Sequence, residues 1–336
     1  MATVDDVARA AEVAPSTVSR LLNGRMRVRP ATEERIRRAV TALGYVPNAN
    51  ARNLARRRTG VLGLVLPDLI NPFFAALAEC IADSASAHGL KVILCPTKSQ
   101  RVREESYSDL LASGTVDGLI YVGMFRSNPR LAAAVQGGLP VVIVDEPVAD
   151  LPPVSCVVVD NYAGGYQATN YLIRLGHRRI AYVSGPSELV TVQERRRGYA
   201  DALARAGLHV DPSLIFEGAY TEQFGISTFS YLLAHADPPT AVFAGNDYIA
   251  LGLLSAADVH AVSIPHDLSI VGFDDVPFCT YVRPRLTTIQ QPVATLAHRS
   301  VELLVARLEN PDAAPQVDVL PVHLVVRDSA CALRPE

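Results

Sequence analysis

No stretch of this chain approaches the roughly 20 apolar residues that a membrane-crossing helix needs. Cysteine is sparse: Cys80, Cys95, Cys156, Cys279 and Cys331 are an odd number, widely scattered, with no CxxC pair and no histidine at zinc spacing. They read as buried, reduced thiols and not as a disulfide framework or a metal site. Catalytic signatures are missing too. There is no GxSxG, no HExxH, no GxGxxG after a strand and no P-loop, and no cysteine has a partner histidine by spacing. Enzyme activity, a metal and a cofactor are therefore not expected. The opening MATVDDVARAAE carries acids where a secretion signal carries positive charge and then an apolar run. The expected location is the cytoplasm.

Lysine is absent from residues 1–60, yet that stretch is strongly basic, with twelve arginines and five acids, a net +7. The remainder holds nineteen basic and twenty-nine acidic residues, a net −10, so the whole-chain value of −3 hides the split. Such asymmetry points to a basic nucleic-acid-binding piece joined to an acidic globular one. With 336 residues, 49% hydrophobic and 19% charged, the chain suits a folded protein of two or three domains.

Val4, Val7, Ala8 and Ala11 recur at i, i+3, i+4 and i+7, one face of a short helix. Ala14, Val18, Leu21 and Leu22 make a second face. Only Glu12 and Val13 lie between, so the two helices must cross sharply. Ile36, Ala39, Val40 and Leu43 make a third, with Pro30 suited to the first turn and Gly44 to the C-cap. This pattern is a helix-turn-helix module. The second helix turns Pro15, Ser16, Ser19, Arg20 and Asn23 outward. In a major groove, Pro15 and Ser16 near its start and Arg20 one turn on reach base edges. The Arg20 guanidinium can bond guanine O6 and N7 together. Thr17, Ser19 and Asn23 suit phosphate oxygens.

The charge changes sign at residues 48–59, NANARNLARRRT. Ala51, Arg52, Leu54 and Ala55 with Arg56, Arg57 and Arg58 can form about two helical turns, too few to hold alone in water. The segment is expected to fray when free and to order on DNA, its arginines neutralising phosphates. The alternative is a flexible basic linker in which Leu54 is a minor surface residue.

From Gly60 onward, strand-like and helix-like segments alternate. VLGLVLP (61–67), KVILCP (91–96), GLIYVG (118–123), VVIVD (141–145), SCVVVD (155–160), RIAYVSG (179–185), TAVFAG (240–245) and SIVGFDD (269–275) read as buried parallel strands. Amphipathic segments at 73–88, 163–175, 194–206 and 247–257 lie between them. Repeated βα units imply open parallel sheets with helices on both faces. Roughly 270 residues is large for one such sheet, so two lobes are expected. Asp68, Asp145, Asp160, Ser184, Asn246, Asp274 and Asp275 directly follow apolar runs, and ligands of open α/β sheets bind outside the carboxyl ends of strands. Asp247 is expected to cap its helix.

TVDDVARAAEVAPSTVSRLLNG followed by GYVPNANARNLARRRTG resembles the lactose/galactose repressor (LacI/GalR) family of bacterial transcription regulators. PDLINPFF (67–74), VDG (116–118), VVDN (158–161), GHRRIAYVSGP (176–186), ERRRGY (194–199), AGNDYIALG (244–252), VGFDDVP (271–277) and LTTIQQP (286–292) extend the resemblance, in order, over essentially the whole chain. It departs at Glu12, where the family usually has Gly or Asn, at Ala14, where it has a capping Ser, and at Arg29, where Ser is frequent. These changes imply a marginally stable reading head, or one firmed up by DNA. Pro15 offers a base edge only apolar contact, which leaves the operator sequence open.

The resemblance implies a helix-turn-helix head (1–47), a hinge helix (48–59) and a two-lobed α/β core like the periplasmic binding proteins (60–336). The lobes are about 60–160 with 292–319, and about 161–291 with 320–330. It implies that Arg52, Leu54 and Ala55 of paired hinge helices meet the minor groove, with Leu54 wedged between central base pairs. The effector contacts it implies are Phe73, Asp145, Asp160, Arg195, Tyr220, Asn246 and Asp274, with Gln291 at a lobe crossover. That set suits a polyhydroxylated ligand, a sugar or sugar derivative, because carboxylate, amide and guanidinium exchange hydrogen bonds with vicinal hydroxyls while an aromatic ring stacks on a sugar face. A purine or nucleoside is the second candidate. Asp145 and Arg195 also read as a structural ion pair. No leucine heptad follows LPVHLVVRD (320–328), so a homodimer on double-stranded operator DNA is expected. The competing classes are a transport binding protein, which has no use for a basic three-helix head, and an enzyme with a Rossmann-like sheet, which needs a phosphate-binding loop or a catalytic group.

Overall fold

A computed structural model of the protein describes residues 2–22, 26–45 and 58–333. Asn23 and most of the expected hinge, including Arg52, Leu54 and Ala55, lie outside the described residues. The chain divides into two compact units, Met1–Gly60 and Val61–Glu336.

In the first unit, α1 (Val4–Ala10), α2 (Pro15–Leu22) and α3 (Pro30–Ala42) enclose a small core of Val7, Ala8, Ala11, Val18, Ile36 and Ala39. Thr3 and Asp6 cap α1 reciprocally: the Thr3 hydroxyl accepts from the Asp6 N–H at 3.2 Å, and the Asp6 carboxylate accepts from the Thr3 N–H at 2.9 Å. Ala14, expected inside, is exposed. Because α2 starts at Pro15, Ala14 is the flanking residue, and its carbonyl accepts from the Thr17 and Val18 amides. Val13 packs onto the core in its place, as a hydrophobic staple does. Leu43 likewise ends α3 as its C-cap and is 41% exposed. Glu12 has φ 53°, the left-handed turn conformation that favours glycine. Arg29 gives α3 no side-chain cap.

The second unit contains, in chain order, β1 (Val61–Leu66), α4 (Pro72–Ala87), β2 (Lys91–Pro96), α5 (Arg101–Tyr107), α6 (Asp109–Ala112), β3 (Gly118–Tyr121), α7 (Pro129–Gln136), β4 (Val141–Val144) and β5 (Ser155–Val159). There follow α8 (Asn161–Arg174), β6 (Ile180–Ser184), α9 (Val190–Arg205), β7 (Ile215–Glu217), α10 (Glu222–Leu233), β8 (Ala241–Ala244), α11 (Asp247–Val259), β9 (Ser269–Asp274) and β10 (Thr287–Gln290). The chain closes with α12 (Val293–Glu309), β11 (Val317–Leu320) and β12 (His323–Val325).

Two sheets result, ordered β11-β5-β4-β3-β1-β2 and β12-β10-β9-β8-β6-β7. The first is parallel throughout. The second is parallel except that β12 runs antiparallel to β10, a departure from the all-parallel expectation. β12 runs directly out of β11 with no helix between, so it reaches the second sheet as an edge strand and needs no crossover helix. The chain passes between sheets three times: from β5 to α8, from β10 to α12 and from β11 to β12. The central strands β3, β4, β6, β8 and β9 are fully buried, as continuous apolar runs demand. β2 is not, contrary to its reading as a buried strand. It is an edge strand, and Ile93 and Leu94 are each 42% exposed.

A residue without Cβ at the α1–α2 turn relieves the Glu12 strain. Glu12→Gly is expected to raise the stability of the head by about 1 kcal/mol. The ion pair it removes, Arg35–Glu12 at 3.6 Å, is exposed and contributes little. Slower hydrogen exchange of the α1 and α2 amides is the expected readout, and unchanged or faster exchange contradicts the strain.

Candidate functional site

A small cavity lies between the carboxyl ends of the two sheets. Its walls include Asn71, Phe73, Phe74, Met124, Asp145 and Glu146 from the first lobe and Leu189, Thr191, Arg195, Tyr220, Asn246 and Asp274 from the second, with Gln291 at a crossover. It measures about 20 Å³, room for a water or two and not for a sugar ring. A ligand of that size therefore requires the lobes to part.

Arg195, on the second turn of α9, is buried at its centre. Its Nε donates to Asn161 Oδ1 at 2.8 Å and its Nη1 to the Gly245 carbonyl at 2.6 Å, and its guanidinium carbon lies 3.7 Å from the centroid of the Phe273 ring. α8 and α9 reach this closeness through glycine. A Cβ on Gly165 would stand 2.2 Å from the Arg195 carbonyl oxygen, and one on Gly198 at 2.2 Å from that of Tyr162. Burial alone pulls the Arg195 pKa down, but the Tyr220 phenol and the Asp274 and Asp145 carboxyls more than offset it, and the guanidinium stays charged.

Asp145 directly follows β4 and Asp274 ends β9, with φ of 67° and 123°, backbone values that residues with a Cβ rarely adopt. Local strain of this kind persists where the surroundings over-determine it, and it concentrates at binding sites. Burial raises the pKa of both carboxyls, and Arg195 opposes the shift. Asp274 accepts from Gln291 Nε2 at 2.8 Å. Asp145 Oδ1, Gln291 Oε1 and the Tyr220 hydroxyl are buried without a hydrogen-bond partner in the protein. A buried polar atom left unpaired costs about 1–3 kcal/mol, so a ligand bearing hydroxyl donors answers a need of the empty-handed acceptors. Phe73 supplies an apolar wall, edge-on to Phe74 with centroids 5.3 Å apart.

Seven of the eight candidate effector residues meet here: Phe73, Asp145, Arg195, Tyr220, Asn246, Asp274 and Gln291. Asp160 does not. Its carboxylate is taken up as the N-cap of α8, accepting from the Ala163 N–H at 2.8 Å. Its neighbour Asn161 is the residue that touches Arg195. Asp247 does not cap α11; Asn246 does, accepting from the Ile249 N–H at 2.9 Å. Asp247 instead takes the Thr288 hydroxyl at 2.6 Å, the Val276 N–H and the Cys279 thiol, each at 3.0 Å, and burial pushes its pKa up to about 6.

Sequence reasoning missed Glu146, Thr191, Asn71 and Asn161. Asn71 carried a readable signal, an Asn before Pro at a helix start, and its side chain does accept from the Phe73 N–H. Glu146 carried none. Its partners, the Val190 and Thr191 amides and the Thr191 hydroxyl at 2.7, 3.2 and 2.7 Å, lie forty-four and forty-five residues away.

In the head, Pro15, Ser16, Ser19 and Arg20 are exposed and Thr17 is half-buried, while Val18 anchors α2 to the core. A polar face on a helix fixed from behind is the geometry of a groove-reading helix.

Residues 3–48 match a family described as "Bacterial regulatory proteins, lacI family", and residues 59–317 one described as "Periplasmic binding proteins and sugar binding domain of LacI family". The chain belongs to the LacI family. A relative at 35% identity, the HTH-type transcriptional regulator CelR of Thermobifida fusca, aligns over 97% of this chain and 98% of its own length. Among solved structures, a CelR–cellobiose complex matches at 34% identity with a TM-score of 0.75, covering 98% of this chain and 100% of that one. The lac repressor dimer bound to operator and an anti-inducer matches at 28% identity with a TM-score of 0.87, covering 98% and 99%. The protein is thus a LacI-family DNA-binding transcription regulator with a two-lobed ligand-binding core. Among its described residues no helix is long and apolar enough to cross a membrane.

Burial pushes the Glu146 carboxyl up to about 7, against the hydrogen bonds from Thr191 and Val190, from an ordinary value of 4.5. A carboxyl raised in the folded state binds its proton more tightly there than when unfolded. Its contribution to stability is fullest below about 4.5 and is lost as pH rises to about 7, by up to about 3 kcal/mol. The amide variant Glu146→Gln has no such loss. The melting temperature of wild type relative to Glu146→Gln should therefore fall between pH 5 and pH 7.5; a pH-independent difference contradicts the burial.

Proposed function

We propose that this regulator binds a pseudo-palindromic operator as a homodimer in the cytoplasm, and that a carbohydrate bound in the cleft around Arg195 shifts its affinity for that DNA. The observation that carries this reading is the cleft constellation itself. Asp145, Asp274, Asn246 and Arg195, with unpaired acceptors and an aromatic wall, converge from two lobes that must part to admit a ligand. The same chain carries the exposed polar face of α2. CelR in complex with cellobiose and the lac repressor dimer on its operator are relatives in which these two roles are named.

Pro15, Ser16 and Arg20 read base edges, and Thr17, Ser19 and Asn23 hold phosphates. Arg52, Leu54 and Ala55 belong to the minor-groove contact, with Leu54 as the wedge. Phe73, Asp145, Arg195, Tyr220, Asn246, Asp274 and Gln291 hold the effector. The dimer is supported by apolar surface that a monomer rarely leaves bare. Ile70 and Tyr281, 77% and 72% exposed, border a groove with Tyr248, Leu251 and Phe278, and Ile93 and Leu94 are bared on β2.

A gel shift on the DNA flanking the protein's own gene, at several salt concentrations, tests the reading. A salt-sensitive shift that changes on adding one member of a panel of sugars, polyols and nucleosides is expected. No shift under any ligand, together with turnover of a small molecule, sinks it. Two variants separate the parts. Leu54→Ala is expected to weaken operator binding about tenfold or more while random-sequence binding changes little; equal losses on both DNAs contradict the wedge. Asp274→Ala is expected to lose the ligand response and keep the gel shift, and unchanged calorimetric affinity for the ligand contradicts its assignment.

A further inference from the structure

α9 begins without a cap of its own. Leu189 occupies its N-cap position in the extended conformation that a capping residue adopts, but a leucine side chain has nothing to offer the first-turn amides. Those amides are nevertheless satisfied. Glu146 Oε1 accepts from the Val190 N–H at 2.7 Å, and Oε2 accepts from the Thr191 N–H at 3.2 Å and from the Thr191 hydroxyl at 2.7 Å. Glu146 follows β4 in the first lobe, whereas α9 packs on α8 and β6 in the second. The cap crosses the cleft. It is 2% exposed, and both of its oxygens serve the first-turn amides.

We propose that Glu146 is a cap supplied from the opposite lobe: it ties closure of the cleft to the folding of the first turn of α9, the turn that leads into Arg195. Separation of the lobes replaces the Glu146 carboxylate with water at the Val190 and Thr191 amides, because Leu189 has no side-chain acceptor to offer them. Arg195 lies one turn further along the same helix. A ligand that wedges the lobes apart, or draws them together, thereby frays or firms the turn that precedes Arg195 without touching Glu146, while the guanidinium keeps its contacts to Asn161 and Gly245 within the second lobe. Glu146 is a positioning residue in this scheme. Its role does not depend on which ligand the cleft takes.

Hydrogen exchange on the full-length protein, with no ligand added, tests it through two reporters. One is the first turn of α9 (residues 190–193). The other is the cleft-facing backbone of the first lobe, residues 71–74 and Met124, whose amide is bonded to Glu104 within that lobe. Glu146→Ala is expected to speed exchange at both reporters by about tenfold, the loss of a cap together with a closed cleft, while the C-terminal half of α11 (residues 254–259), at the end away from the cleft-lining Asn246, stays as in wild type. Glu146→Gln, which keeps one acceptor oxygen, is expected to fall between. Adding Leu189→Ser to Glu146→Ala restores a cap within α9. It should slow the α9 reporter again and leave the first-lobe reporter fast. The proposal is overturned if Glu146→Ala changes neither reporter or the α9 reporter alone, or if the added serine restores both. A uniform rise that includes the C-terminal half of α11 in both Glu146 variants overturns it too, since it marks general destabilisation.

Discussion

A guanidinium taken out of water must be answered by hydrogen bonds and opposite charge, or the fold that buries it does not survive. Arg195 sets this constraint for the core. Asn161, Gly245 and the face of Phe273 surround it within the second lobe, and Asp145 faces it from the first. To bring these groups together, α8 and α9 cross at Gly165 and Gly198, where a methyl group would overlap backbone. Two strands end on aspartates in left-handed backbone conformations, which turn their carboxyls into the cleft. The strain and the buried charge meet at the same place, and that place is where the two lobes touch. A site arranged this way is easily tipped: a ligand that pairs Asp145 Oδ1 or Gln291 Oε1 changes the balance of forces that closes it.

The three passages of the chain between the sheets make that balance mechanical. Gln291 lies on one of them and bonds Asp274, so the passage itself takes part in the site. Lobe motion about such passages is a change between two arrangements of packed elements, the kind of two-state element on which allosteric coupling rests. The head is built differently. Among the described residues its buried core is three alanines, two valines and one isoleucine, its turn is strained at Glu12, and α3 lacks a side-chain cap. A module with so little in reserve is well suited to gain stability from DNA, whose phosphates meet a unit with twelve arginines against five acids.

Much of this was legible in the residues. The alternation of apolar runs with helical segments announced parallel sheets, and the polar residues at strand ends located the cleft. Period and strand ends do not, however, say which carboxylate is free. Asp145, Asp160 and Asp274 look alike in sequence, but Asp160 is consumed as a helix cap while the other two are held inward by backbone strain. Asn246, and not Asp247, caps α11 because a cap is decided by where the helix begins, which sequence places only to within a residue or two. Ala14 and Val13 in the head differ for the same reason. β2 reads as buried because its composition is that of a central strand. Only the strand order puts it at an edge. Glu146 was invisible because its partners are far along the chain, on the other lobe.

The central claim is that the cleft and the head report to each other, and thermodynamic linkage gives it a direct test. With a ligand found by thermal shift, its affinity is measured by calorimetry with and without saturating operator DNA, and operator affinity is measured with and without saturating ligand. The account predicts two ratios that are equal and differ from one. A ligand that binds the cleft with the same affinity whether or not DNA is bound contradicts it.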